Sequence, residues 1–373
     1  MSYLFEQNAH YYLIIFCLVI LLTYIGSYEI KHSHKKIGFL FYCISILILS
    51  IFTGARDVTV GTDVNVYVIP QLELAKYLHS FVPFMVASNS EFLYKILVYV
   101  ISFTSQPIFN LLFIQQLITL LPLYIVLYKR RFAISTTFGI TVYLFIIYNM
   151  SLSVMRQCMA ASLILLGYIF FEDNKKKATL VLFVLAVLLH NSAIIFLAFL
   201  FVYYKAKSGK YSLIKGVTLV GIIILIVLCL DQLLMFAVTH GFVRQGVYDR
   251  LQLTQGGLSI GEFLFRLFLT GLPFLFNKIG KSKDNSTYIS LAFIGTLFSV
   301  LAIISTYLIR ISYYFYFFMP LSIPLSLKFF KRNYVNRIIL YSIYIIVMLL
   351  YWYIVYVGWQ WYDTVPFMFS SKL

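Results

Sequence analysis

Apolar runs close to membrane-spanning length recur along the whole chain, for example at 13–26, 212–230 and 338–357. A bilayer's hydrocarbon core is about 30 Å thick, and a helix needs about 20 apolar residues to cross it. No soluble core could hide so many such runs, so the pattern dictates a chain dissolved in lipid. There every backbone amide must be paired internally, which leaves only helices or closed barrels. The two-residue alternation of a barrel wall is absent. The expectation is an all-α polytopic membrane protein. Composition agrees: 62% of the 373 residues are hydrophobic and 11% are charged, against about 25% charged in soluble domains.

The net charge of +16 would suit nucleic acid, but its placement does not. Twenty of the 29 Lys and Arg residues fall in six short clusters between apolar runs, around positions 31–36, 129–131, 175–177, 205–215, 278–283 and 328–337. Such clusters mark cytoplasmic loops. The basic excess is topological, and no nucleic-acid partner is expected. The four cysteines, Cys17, Cys43, Cys158 and Cys229, stand singly within apolar runs without metal-ligand spacing, so neither disulfide nor metal site is implied. The first apolar run has basic residues after it rather than before it, the reverse of a signal peptide. It is therefore read as a true helix with its N-terminus outside.

With the six clusters inside, the chain can be walked across the membrane as one domain over 1–373. Crossings are expected at 11–28, 37–52, 107–128, 132–148, 151–171, 212–236, 261–276, 288–307, 311–327 and 338–357. Two exoplasmic loops result, at 53–106, with interfacial or re-entrant helices, and at 237–260. The aromatic tail after residue 357 suits a membrane-interface layer. The run at 178–204 has 27 residues with lysines at both ends. A single helix of that length would reach about 40 Å and would place a basic loop outside. A broken or re-entrant pair meeting near His190 keeps both ends inside, and broken helices at membrane depth line cavities. The total expected is roughly 10–12 transmembrane helices, that pair included.

Removing the cytoplasmic clusters leaves nine basic residues. They include six of the ten arginines but only three of the nineteen lysines. Topology alone would not separate the two types. Arginine keeps its charge and offers a planar fork matched to phosphate or carboxylate. The walk puts Arg56, Arg156, Arg244, Arg250, Arg266 and Arg310 at or near the exoplasmic side. That asymmetry points to an anionic ligand at the outer interface, such as a lipid diphosphate.

Each candidate also has a plainer account. Arg56 precedes Val60-Gly61-Thr62-Asp63 and Tyr67, a turn in which Gly61 supplies the conformation and Asp63 can cap the next helical segment; an internal Arg–Asp pair would explain it without a ligand. Arg156 and Gln157 open an apolar run, where a charge is functional by default or else snorkels to the interface. His190 is flanked by hydrocarbon; the helix break turns a core histidine into a candidate general base. Arg310, with Tyr313 and Tyr314, fits an aromatic belt. Arg244, Arg250, Glu262 and Arg266 crowd the later loop, where mutual salt bridges suffice.

These residues resemble the EpsG family of Wzy-like polysaccharide polymerases. The resemblance rests on Arg56 with Val60-Gly61-Thr62-Asp63 and Tyr67, on Arg156-Gln157 with Ala160, on His190-Asn191-Ser192-Ala193, and on Arg310 with Tyr313-Tyr314-Phe315, in that order. Val64 stands where the family more often has a polar residue. The resemblance implies polymerisation of undecaprenyl-diphosphate-linked oligosaccharide units on the outer face of a bacterial inner membrane, beside a chain-length regulator and a flippase of the same pathway. It implies no cofactor and no metal. Arg56, Arg156 and Arg310 would bind the diphosphate. His190, or secondarily Asp63, would be the base, with Gln157, Tyr67, Tyr313, Tyr314, Arg244 and Arg250 as further contacts. A polyprenyl-phosphate-sugar glycosyltransferase, an O-antigen ligase and a lipid-linked oligosaccharide flippase are the alternatives on the same residues.

Overall fold

The apolar runs fold as helices that end at basic clusters and polar turns. The computed structural model describes residues 8–197, 199–200, 239, 257, 259–279, 286–303, 309–330 and 334–371. In chain order its helices are α1 (His10–Lys31), α2 (Lys35–Gly54), α3 (Ile69–Leu78), α4 (Phe81–Ala87), α5 (Phe92–Ser102), α6 (Pro107–Lys129) and α7 (Thr136–Ser153). They continue with α8 (Met155–Glu172), α9 (Lys176–Leu189), α10 (Ile260–Ile279), α11 (Ser286–Phe298), α12 (Arg310–Tyr316), α13 (Met319–Ser326) and α14 (Tyr334–Gly358). Among the described residues, α1, α2, α6, α7, α8 and α14 are long and apolar enough to cross a membrane, and no strand is present. The chain is an all-α polytopic membrane protein. The crossing expected at 212–236 and nearly all of the loop at 237–260 lie outside the described residues.

Small and hydroxylated residues bring the first helices together. Gly26 and Gly38 let α1 and α2 approach until a Cβ on Gly38 would sit 2.6 Å from the Gly26 carbonyl oxygen. Without water, such close packing and interhelical hydrogen bonds replace hydrophobic association. Tyr124 of α6 supplies the bonds, its hydroxyl lying 2.7 Å from Thr23 Oγ1 on α1 and 2.6 Å from Ser45 Oγ on α2. At the end of α6, Lys129 pairs with Asp173 at 2.6 Å, and Arg130 reaches Glu172 and Asp173 at 3.1 and 3.0 Å. This staple marks the basic-cluster end of α8.

Two helix breaks differ from hydropathy, and a third falls where the run at 178–204 places it. Polarity at residues 149 and 151 places a turn at or beside them, yet α7 runs on to Ser153 and reverses at Val154. Asn149 stays helical because its amide donates to Thr364 and accepts from Trp352 Nε1, at 2.9 and 3.0 Å. The π-helical turn Tyr143–Tyr148 inside α7 is stabilised by the Tyr356 hydroxyl, which donates to the Ile146 carbonyl. The span expected at 311–327 is two pieces, α12 and α13, because Pro320 restarts the helix. At the third break, α9 has 14 residues, about 21 Å of helix. It ends at His190, whose backbone is extended (φ −159°, ψ 116°), and a 3₁₀ turn, Asn191–Ile195, comes next.

The C-terminal tail is a strap rather than only an interface layer. Phe367 is fully buried and stacks on Phe52 at 4.3 Å, while Trp359 and Phe369 stay exposed. Its backbone pairs with the segment that opens the first long loop. Asp57 N–H donates to Met368 at 2.7 Å, Ser370 N–H to Ala55 at 2.9 Å, and Gly61 N–H to Asp363 at 2.7 Å. Gly61 needs its φ of +93°, and a Cβ there would meet the Leu152 carbonyl oxygen at 2.7 Å. Gly61→Ala should therefore cost about 2 kcal/mol or more, read as a Tm several degrees lower in detergent. An unchanged Tm would contradict this packing.

Candidate functional site

An arginine in the first turn of an apolar helix must find a counter-charge or lie in the interface. Arg156 finds one in Glu91, the residue that caps α5, with Nη1 2.7 Å from Oε2. Its guanidinium also lies over the rings of Tyr67 and Tyr94, at 4.8 and 5.3 Å, a geometry that favours a cation. The other oxygen of Glu91 is 2.7 Å from His190 Nδ1. The polar run His190-Asn191-Ser192 ends α9 and delivers the imidazole there. Ser192 Oγ lies 2.8 Å from the Tyr314 hydroxyl, and Gln157 Nε2 donates to the Arg310 carbonyl. These two bonds attach α12 to the same place. Arg156 sits about 24 Å along α8 from Glu172 and its staple, at the end away from the Lys129 and Arg130 cluster.

Burial and charge set the two carboxylates apart. Burial alone would raise Glu91, but the hydrogen bond from His190 and the charge of Arg156 outweigh it and hold it down at about 2. Asp63 is raised, because its burial outweighs the charges of Arg310, Arg156, His190 and Arg56, all of which act on it. A raised carboxyl is better matched to proton transfer near neutrality. Because Glu91 lies below its ordinary value of 4.5, its contribution to stability is complete above pH 4.5 and is lost as pH falls toward about 2. The Tm of the wild-type protein should fall more steeply across that window than the Tm of Glu91→Gln. Parallel curves would show that the ionised carboxylate adds no stability.

A family model described as the EpsG family matches residues 39–368. The chain belongs to the EpsG family. This is the family of Wzy-like polysaccharide polymerases, which makes the protein, at that level, a glycosyltransferase-like polysaccharide polymerase. A search of curated proteins and a search of solved structures each give no match.

All of the quoted family motifs fall inside the matched span. Arg156 and His190 meet on Glu91, Tyr67 stacks on Arg156, and Asp63 lies in the field of Arg310, Arg156 and His190. Asp63 precedes the π-helical turn Val64–Val68 but makes no capping bond through its side chain. Val64 is fully buried. Tyr313 accepts a 2.9 Å bond from Tyr362. Arg56 forms no ion pair among the described residues. It is wholly enclosed beneath the Gly61 turn, with Nη2 3.1 Å from Met155 Sδ, and burial brings it down to about 10. Arg244 and Arg250 lie outside the described residues. Glu262 and Arg266 do pair, but buried against Tyr351 rather than in an open loop. Among the described residues no three His, Cys, Asp or Glu side chains gather as a metal site.

Glu91 is the site residue that sequence reasoning missed. In the sequence it stands only within the 53–106 loop with its interfacial or re-entrant helices. Its one available signal was an acid heading an apolar helix, and Lys95 four residues on offers it a local partner, although in the structure Lys95 reaches the Met85 carbonyl instead.

Proposed function

We propose that this EpsG-family chain polymerises undecaprenyl-diphosphate-linked oligosaccharide repeat units on the outer face of a bacterial inner membrane. The observation that supports this most is the meeting of Arg156 and His190 on Glu91, remote along α8 from the basic clusters. In this reading a hydroxyl of the incoming unit attacks the anomeric carbon of the growing glycan. The new C–O bond forms as the bond to diphosphate breaks, and the electron pair leaves with the lipid diphosphate. The proton passes to His190, with Asp63 as the second base within the same field. Diphosphate is a good leaving group, so charge stabilisation matters more than acid catalysis. Arg156 and Arg310 supply it. Arg56, being enclosed, contributes field rather than contact. Gln157, Tyr67, Tyr313 and Tyr314 are the further contacts in this reading.

The test uses purified protein in detergent with a synthetic lipid-diphosphate-linked repeat unit, and reads the products as a ladder on a gel. A ladder formed without nucleotide supports the reading. No ladder, together with transfer of the same lipid across a vesicle bilayer, would make the protein a transporter.

A further inference from the structure

Glu91 uses both carboxylate oxygens, one on each of two groups that the polymerase reading places on different substrates. Oε2 takes Arg156 and Oε1 takes His190, each at 2.7 Å. The three side chains come from separate elements, so nothing local forces them together. The carboxylate itself is well anchored. Its backbone carbonyl accepts the first bond of α5, from Lys95 N–H at 2.9 Å. On α5, the Tyr94 hydroxyl accepts from Gln115 of α6 at 3.1 Å, and Lys95 Nζ reaches the Met85 carbonyl of α4 at 2.7 Å.

We propose that Glu91 is a positioning residue: one carboxylate fixes the tautomer of His190 and its place beside Arg156. This rests on the polymerase reading for its purpose, though not for its geometry. An ionised carboxylate only accepts hydrogen bonds, so the His190 nitrogen facing it, Nδ1, carries the proton. In the neutral imidazole the lone pair then sits on Nε2, the atom that would receive the proton of the acceptor hydroxyl. The same carboxylate holds the guanidinium that would face the diphosphate. Donor and acceptor groups are thereby set at one spacing by one side chain, which is what a reaction between two lipid-borne substrates requires.

Glutamine at this position separates positioning from mere packing. Arginine can only donate, so the amide oxygen of Glu91→Gln must turn to Arg156. Its NH₂ then faces His190 Nδ1, which must become the acceptor, and the ring proton moves to Nε2. The experiment is ¹⁵N NMR of histidine-labelled protein in lipid nanodiscs at pH 8.5, where an ordinary imidazole is neutral. The His190→Gln spectrum identifies the resonance. Wild type should show the Nδ1–H form, Glu91→Gln the Nε2–H form, and Glu91→Asp a return to Nδ1–H. An unchanged tautomer in Glu91→Gln overturns the proposal.

Ladder kinetics supply the second readout. Glu91→Gln should lose on the order of 10²–10⁴ in kcat, with KM for the lipid-linked unit within about 3-fold because Arg156 keeps a partner. Aspartate should recover part of the rate. A rise in KM alone would show that Glu91 serves only the arginine, and the proposal would fail. If the tautomer flips but the wild-type protein makes no ladder, the polymerase reading fails while the positioning role stands.

Discussion

Arg156→Ala is expected to remove detectable polymer while leaving a folded protein in the membrane. The substitution deletes a guanidinium held by a 2.7 Å ion pair and two aromatic faces. A preorganised donor of this kind is worth about 10²–10³ in rate when charge develops on the leaving group. The fold should tolerate the loss. Glu91 keeps His190, and the other bonds around the site do not pass through the Arg156 side chain, so the decrease in Tm should be modest. Arg156→Lys separates charge from shape. Lysine keeps the charge, but it lacks the planar fork and its stacking between Tyr67 and Tyr94. It should therefore restore less than about a tenth of the rate. The check is ladder length and yield at matched protein concentration, with Tm measured on the same sample. Wild-type ladders from Arg156→Ala would remove this residue from the diphosphate site and with it the main support for the proposed chemistry.

His190→Ala should be as severe for a different reason. Loss of a general base costs about 10²–10⁴, and here Arg156 would remain on Glu91. Lipid binding should persist while turnover disappears. The helix break is not expected to heal, because the extended backbone at 190 is open to alanine and the bond from Ser192 to Tyr314 still holds the turn. The space left by the ring also allows a direct check: added imidazole should restore part of the ladder. Full activity in His190→Ala would move the base to Asp63, whose carboxyl is already raised by burial.

The features legible in the sequence were those that contrast with their own neighbourhood. Helices showed because apolar runs stop at lysines. Arg156 and His190 stood out because each is a polar group set in hydrocarbon, and the break at His190 came from a run too long to cross once. Glu91 did not show, because it lies in a mixed stretch and its partners are 65 and 99 residues away. The same holds for Asn149, which looked like the residue ending a helix and is instead kept inside one by Trp352 and Thr364. Arg56 looked accessible from its place in a loop. Its enclosure depends on Met155 and the Gly61 turn, a packing arrangement that no local pattern encodes. Local chemistry was legible, and pairing at a distance was not.

The C-terminal strap imposes an order on how the protein is made. Asp363 and Met368 leave the ribosome only after α1 to α14 have been synthesised, yet they are the acceptors for Gly61 and Asp57. Tyr12, in the first helix, waits for the same segment, since its hydroxyl donates to the Thr364 carbonyl at 2.6 Å. The loop that carries Asp63 can therefore be locked only after the last helix has entered the membrane. Biogenesis would then withhold the locked Asp63 loop from any half-built chain, and a ribosome stalled before residue 363 would leave an inserted protein with that loop untied.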